Sequence, residues 1–387
     1  MAPAPRSAAV DWAAQQVLAL VEIWALIAEC SGLVGAWRLM TVCKASQAGT
    51  KHWLSTLPRF VMCGVTNHLE VGPIFGSMRL DLATLQWEDM GSSLDCITSG
   101  HACCAVRGAL VVLGGEIIPH PEADAEDWSD GEDPVTSRVE IFPPGEESES
   151  LPSLSCGGIE MAVAIAVEES VSMAGQVLLL GGAGAGDDDT AVHLVDLFSG
   201  VCTPQPALLN SRRSFAAARA LDGRVVCAGG WRDGLRTAEV FGPPINGASD
   251  AVWTWTALSA MSAGRADCRG CVMSDGRFAV LGGCDVDSMD HMVASASCEA
   301  VVIGEGEHWT PLPSMHQARA GFACAAVARC IIVADGNDCE SGPVNDAGEF
   351  ITAEVYDEGL NRWLRLPSRL PEDYDSWVTY ADGSALI

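Results

Sequence analysis

The chain repeats itself. Residues 252–272 read VWTWTALSAMSAGRADCRGCV, and residues 308–327 read HWTPLPSMHQARAGFACAAV. In both, a Trp is followed three residues later by Leu, then by Met and Arg, with ten positions from Trp255 to Arg265 and ten from Trp309 to Arg319. Trp255 and Trp309 lie 54 positions apart, and Trp363 follows after another 54. A period of that length restricts the chain to folds that stack one supersecondary unit many times.

Each unit contains an apolar run ending in a glycine pair or its remnant: LVVLGG at 110–115, VLLLGG at 177–182, VVCAGG at 225–230, FAVLGG at 278–283, IIVADG at 331–336 and FVMCGV at 60–65. Runs of small residues (HACCAV, AVAIAV, FAAARA, CRGCV, FACAAV) precede five of them. Polar loops follow, then strands such as RTAEVF at 236–241 and ITAEVY at 351–356. Most units close on a Trp strand, at Trp87, Trp255, Trp309 and Trp363, while the segments around EESESLPSL and LFSGVCTPQPAL lack the Trp. Residues 58–387 divide into six units of about 55 residues, each with four short strands, which predicts an all-β chain built as a six-bladed β-propeller. Small side chains suit crowded innermost strands. The glycine pair supplies positive φ, and the Trp fills the widening gap between blades.

The two ends of the repeat region predict one composite blade. The C-terminal YDSWVTYADGSALI matches a first strand and a turn, whereas RFVMCGV at 59–65 matches the second strand RFAVLGG at 277–283. The C-terminus is therefore expected to supply the innermost strand and residues 60–90 the rest, which leaves residues 384–387 without a place.

Before the propeller, residues 11–49 read as helices. Val17, Leu20, Val21, Trp24, Ile27 and Ala28 recur at helical steps. Ser31-Gly32 breaks the run, Val34, Trp37, Leu39, Met40 and Cys43 mark a second helix, and Gly49 stands where a C-cap would. A third short helix is expected before Pro58. The division is a helical segment over 8–57 and a propeller over 58–387.

Acidic residues outnumber basic ones 51 to 22, for a formal net charge of -29. Such a surface repels phosphate backbones, so nucleic acid is not an expected partner. The most apolar stretch, 17–43, is interrupted by Glu22, Glu29, Ser31, Gly32 and Arg38, which argues against a membrane span. The start MAPAPRSAAVDWAAQQ lacks a basic segment followed by an apolar run. Sixteen cysteines then read as small apolar residues of a reducing compartment, with a cytoplasmic and/or nuclear location expected.

The glycine pair, the acidic-aliphatic-aromatic third strand and the Trp of the fourth strand resemble the kelch repeat over nearly all of residues 59–387. The string VEIWALIAECSGLVGAWRLMTVCK at 21–44, with its ending Val42-Cys43-Lys44, is similar to an F-box. It departs from that pattern in having no Leu-Pro before the first helix and Ser46 where the family has Trp. The F-box resemblance implies docking of Trp24, Ile27, Leu33, Val42, Cys43 and Lys44 on the small adaptor of a cullin ubiquitin ligase, an amphipathic helix laid in a groove. The propeller would then recognise the protein to be ubiquitinated. The alternative is a helical hairpin that caps a kelch interaction scaffold with no ligase link.

No catalytic set and no cofactor are expected. Some kelch propellers are copper oxidases that use tyrosines, histidines and a Tyr–Cys crosslink, but this chain has only Tyr356, Tyr374 and Tyr380. Cys268 and Cys271 sit three apart on an expected strand and face opposite ways, a poor zinc pair. GGAGAGDDD at 181–189 follows a strand but opens no helix, and its aspartates repel a pyrophosphate.

Binding is expected on the face that carries the loops between second and third strands. Trp128 lies in an acidic loop over 116–137, with more acid in AGAGDDDT, CDVDSMDH and NDCESGPVNDAGE. Arg213, Arg265 and Arg319 recur at the start of first strands, and Trp231 and Arg232 follow a glycine pair near the same face. Repetition of the arginines suggests bonding to loop carbonyls; in resembling proteins arginines there also hold acidic peptides. The acidic loops favour a basic ligand and the arginines an acidic one, so the charge of the peptide or degron stays open.

Overall fold

The computed structural model describes residues 20–387 apart from 69–71, 91–97, 118–134, 144–147, 168–174, 185–188, 244–251, 287–291, 305–306, 337–352 and 367–375. Six antiparallel four-stranded sheets form the blades of a propeller. Blade 1 joins the two ends of the repeat region, in the order Ser376–Leu386, Phe60–His68, Gly72–Asp81 and Gln86–Asp89. Blade 2 is Ala102–Val106, Ala109–Leu113, Val139–Phe142 and Glu149–Leu151; blade 3 is Val163–Val167, Gln176–Leu180, Val192–Asp196 and Val201–Pro204. Blade 4 is Ala216–Arg219, Val225–Ala228, Ala238–Gly242 and Thr254–Leu258; blade 5 is Arg269–Val272, Phe278–Leu281, Cys298–Val301 and Trp309–Leu312. Blade 6 is Ala323–Val327, Cys330–Ala334, Ala353–Asp357 and Arg362–Arg365.

The predicted composite blade is present, but its register differs from expectation. Ser376–Leu386 is one strand with no turn at Ala381-Asp382-Gly383. Residues 383–386 pair with Phe60–Cys63 and occupy the innermost position, so that 384–386, expected to have no place, close the ring, and Ile387 pairs with Arg59. Residues 376–380 pair with 65–68, beyond the point where other blades reach their glycine pair. The pairing lengthens here because the next hairpin, Gly72–Asp81 against Phe60–His68, is itself long. Ser384 Oγ accepts from Cys324 N at 2.9 Å and donates to Cys324 O at 2.8 Å, tying the closing strand to blade 6. Arg59 and Ile387 exchange backbone hydrogen bonds of 2.6 and 2.9 Å.

The glycine pairs take positive φ, as at Gly229 (73°) and Gly230 (101°). A Cβ on Gly229 would stand 2.4 Å from Arg265 O, because the linker to the next blade crosses there. In blades 2, 3, 4 and 5 the second glycine donates to that linker: Gly115 to Ile159 O, Gly182 to Arg212 O, Gly230 to Arg265 O and Gly283 to Arg319 O.

In blades 4, 5 and 6 the Trp straps its blade to the linker that leaves the previous one, whereas the buried Trp87 Nε1 of blade 1 makes no such bond among the described residues. Trp255 Nε1 donates to Pro206 O (2.9 Å), Trp309 Nε1 to Ser259 O (2.8 Å) and Trp363 Nε1 to Pro313 O (2.8 Å). The rings also pack on the third or second strand, Trp255 on Phe241 and Trp363 on Tyr356, with centroids 5.2 and 5.4 Å apart.

Two helices precede blade 1: α1, Val21–Leu39, and α2, Lys44–Leu54. The expected break at Gly32 is a kink (φ 69°, ψ 179°) inside α1. The kink frees the Leu33 N–H, which donates to Ala328 O in the hairpin turn of blade 6. Gly49 does not cap a helix; it lies inside α2, where a Cβ would meet Val21 O at 2.4 Å and Trp24 Cβ at 2.5 Å. Its missing side chain lets the two helices touch. Ser46 is fully buried, accepting from Cys43 N and donating to Leu39 O at 2.7 Å, so a large ring has no room there. Leu33, Val34, Ala36, Trp53 and Leu54 share one core with Phe60, Leu80 and Trp87 of blade 1 and Val327, Ile332 and Val355 of blade 6. Among the described residues no helix is long and apolar enough to cross a membrane.

Candidate protein-interaction face

In an up-and-down blade, the connections between strands two and three share a face with the linkers between blades. That face carries the described ends of the connections between strands two and three, at 114–117 and 135–138, 282–286 and 292–297, and 335–336. The helical hairpin sits against the opposite face, touching Ala328 between strands one and two of blade 6 and Leu82 between strands three and four of blade 1. A cavity of about 390 Å³ occupies the long-loop end of the central channel. Ala102, Ala164, Ala217, Gly270 and Cys324 of the first strands line it, with Ser99, Met161 and Ser214 at the linkers. The small residues predicted for innermost strands are therefore the channel wall.

The recurring arginines are built into the blades. Arg265 donates from Nε to Glu299 Oε1 (3.2 Å), from Nη1 to Gly282 O (2.8 Å) and Ser297 O (2.9 Å), and from Nη2 to Ser297 Oγ (2.7 Å). Arg319 likewise donates to a third-strand Glu, Glu354 Oε1 (3.2 Å from Nη2), and to a second-strand-end carbonyl, Asp335 O. Both are 1% exposed. Arg213 is not their counterpart. Counting back three residues from Phe215, as Arg319 stands from Phe322, gives Arg212, which is fully buried and bonded to Glu239 Oε1 (2.7 Å), Gly229 O (2.7 Å) and Thr237 O (3.1 Å). The other carboxylate oxygen of each Glu accepts a linker N–H: Leu209, Ser262 and His316. Each arginine thus holds its own blade's second and third strands with its side chain, and its backbone carbonyl accepts from the previous blade's second glycine, Gly182, Gly230 or Gly283. The guanidiniums of Arg265 and Arg319 face no solvent, so in this structure they take the carbonyl-bonding role rather than that of a ligand clamp.

Arg213 and Arg232 form a different group on the surface. Both reach Asp189, Arg213 Nε at 2.9 Å and Arg232 Nε at 3.2 Å, and Arg213 also lies 3.9 Å from Glu160. The Arg232 side chain is 55% exposed. Trp231 Nε1 donates to Asp267 Oδ2 at 3.1 Å, and its ring packs beside Ala266 and Cys284. Of the expected face residues, Arg213, Trp231 and Arg232 lie together between blades 3, 4 and 5, Arg265 and Arg319 lie beneath the surface, and Trp128 falls outside the described residues.

On the helices, Trp24 and Leu33 are buried, Ile27 is half-buried, and Val42, Cys43 and Lys44 are exposed. Val42 and Leu26 are 61% and 60% exposed on the hairpin. Cys268 and Cys271 are both buried, and burial pushes the Cys268 thiol up to about 11. Among the described residues no group of three or more His, Cys, Asp or Glu side chains is placed to hold a metal ion.

Sequence reasoning missed Glu239, Glu299 and Glu354, although the Glu recurs in AEVF, CEAV and AEVY. It also missed Asp335, the first position of the glycine pair in blade 6. Asp335 has φ 62°, and burial raises its carboxyl to about 8.

No family model matches the sequence, and none of the curated proteins matches it. Among solved structures the chain is similar to YjhT, with a TM-score of 0.56 and 14% identity over 77% of this chain and 94% of that one. At that identity the likeness shows the propeller fold.

Proposed function

We propose that this chain is a non-enzymatic protein-interaction propeller of the kelch type, which recognises a protein target on its long-loop face. The observation that carries the reading is the asymmetry of the two faces. Helices α1 and α2 pack on one side, while the central cavity and the Arg213–Asp189–Arg232 cluster lie on the other. Exposed charge and aromatic surface around a concave centre suits a peptide or a protein loop. Affinity capture with the full chain, compared with Arg232→Glu and with Trp231→Ala, tests this. Loss of bound proteins from the face variants, at unchanged thermal stability, supports the reading. An unchanged set of captured proteins sinks it.

A second reading makes the propeller the substrate receptor of a cullin-type ubiquitin ligase, with the hairpin as its adaptor-binding element. It is favoured by the exposed apolar residues Leu26 and Val42 on the hairpin, which sits away from the long-loop face. Removing residues 20–57 would uncover the core around Phe60 and Val327, so point variants are the better probe. Full-length chain that binds the adaptor and loses it on Leu26→Glu or Val42→Glu supports ligase membership. Absence of binding by the unaltered chain leaves the interaction propeller alone.

A further inference from the structure

Blade 3 lacks the Trp strap, and what replaces it is a pair of thiols. Third-strand register places Cys202 opposite Val195, as Trp309 stands opposite Val301 and Trp363 opposite Tyr356. Cys202 therefore holds the strap position of blade 3. In blades 4, 5 and 6 the Trp reaches the linker leaving the previous blade. In blade 3 the matching linker presents Cys156, whose Sγ lies 2.9 Å from Cys202 Sγ.

The surrounding backbone already holds the two residues together. Ser155 N donates to Gly200 O at 2.9 Å, and Cys202 N donates to Ser155 Oγ at 2.8 Å. Gly200 has no side chain where a Cβ would stand 2.3 Å from Ser153 O, so the linker lies flat against the turn that precedes Cys202. Both cysteines are half-buried, and their neighbours Ser155, Val201 and Thr203 are exposed, which leaves the sulfurs within reach of a small solute.

From this placement we infer that Cys156 and Cys202 are an oxidation site for hydroperoxides, at which a reversible disulfide takes the place of the Trp strap and clips blade 3 to the linker from blade 2. The Cys202 thiolate attacks hydrogen peroxide; the O–O bond breaks, one oxygen stays on sulfur as sulfenic acid, and with one proton taken up the other leaves as water. Cys156 sulfur then attacks Cys202 sulfur, the S–O bond breaks, and the Cys156 proton leaves with the hydroxyl as a second water. Two electrons pass from the thiol pair to one peroxide.

The electrostatics assign the roles. The hydrogen bond that Cys156 donates lowers Cys202, against the opposing effect of burial and with smaller help from backbone, Ser155 and nearby His193, while the same contact raises Cys156. Cys202 is thus the nucleophilic thiolate and Cys156 the resolving thiol. Elsewhere, buried thiols such as Cys227 and Cys330 are pushed up to about 12 by burial and stay inert. Cys43 is lowered and exposed, so it is the natural internal comparison.

The test treats the reduced full-length chain with limiting hydrogen peroxide, alkylates the remaining thiols and maps the peptides by mass. Two of the sixteen thiols should disappear together as a Cys156–Cys202 linked peptide, restored by dithiothreitol. Cys156→Ser should leave a dimedone-reactive sulfenate on Cys202, and Cys202→Ser should leave Cys156 unmodified. Amide exchange over Val201–Pro204 should slow in the oxidised chain. Preferential modification of Cys43 with the pair still reduced overturns the inference in the unaltered protein, whatever the variants do. Exchange over Val201–Pro204 equal in both redox states overturns the clip.

Discussion

At the level of single residues, the repeated arginines show how one residue type serves structure when its partners repeat with it. Arg212, Arg265 and Arg319 each meet a third-strand Glu and at least one strand-end carbonyl, and none of the three is more than 1% exposed. Breaking such a pair leaves one charge buried and alone, which costs about 3–5 kcal/mol. Arg265→Ala and Glu299→Ala should each lose that much in denaturant titration. The double variant should lose less than the sum, since the orphaned charge is gone. Losses adding in full would mean that the two residues act separately. Asp335 is the opposite case, a residue standing where the five other blades have Gly. Between the ordinary carboxylate value of 3.8 and about 8, the folded chain holds a proton on Asp335 that the unfolded chain releases. Rising pH through that window therefore draws the balance toward the unfolded state. Asp335→Gly should flatten the decline and add about 1 kcal/mol by relieving the positive φ. A pH–stability curve parallel to that of the unaltered protein would exclude a buried, protonated Asp335.

At the level of elements, the recurring Trp was legible as an inter-blade packing residue because its spacing repeats, while its hydrogen-bond acceptor was not. The acceptors are Pro206, Ser259 and Pro313, which share only a backbone carbonyl. Trp255→Phe should keep most of the packing and lose the bond, at about 1 kcal/mol. Trp255→Ala should cost about 3–5 kcal/mol, read by the same titration. Equal losses for both would place the whole effect in the hydrogen bond. The register of the arginines was half legible. Arg265 and Arg319 follow their Trp by ten residues, but blade 3 has no Trp to count from, and the doublet Arg212-Arg213 could be resolved only from the first strand that follows. The helices failed in a related way. Gly49 reads as a C-cap by position, yet its purpose depends on Val21 and Trp24, whose approach no local pattern records. The place of Ser46 in the first turn of α2 likewise emerges only from its bonds to Cys43 and Leu39.

At the level of the whole molecule, a propeller ring is held shut where its two ends meet, and this chain has two devices at that seam. The first was visible in the sequence: the C-terminal strand completes the blade begun by Phe60–His68. The second was not, because it joins residues far apart in sequence. Helix α1 donates Leu33 N–H to Ala328 O of blade 6 and Trp37 Nε1 to Leu82 O of blade 1, the latter at 2.7 Å, with the shared core between them. The hairpin is therefore a clamp across the junction of blades 6 and 1, whatever else it binds. Weakening a clamp should loosen its own seam before the rest of the ring, since each blade chiefly contacts its neighbours. Trp37→Phe removes the bond and keeps most of the apolar area, so the chain should still fold. Amide exchange should then quicken over Phe60–His68 and Ser376–Leu386, while Val225–Ala228 in blade 4 keeps its protection. Acceleration spread evenly over all six blades would show that the ring opens only as a whole and that α1 adds general stability rather than closure. Acceleration confined to α1 itself would show that the terminal strand closes the ring unaided.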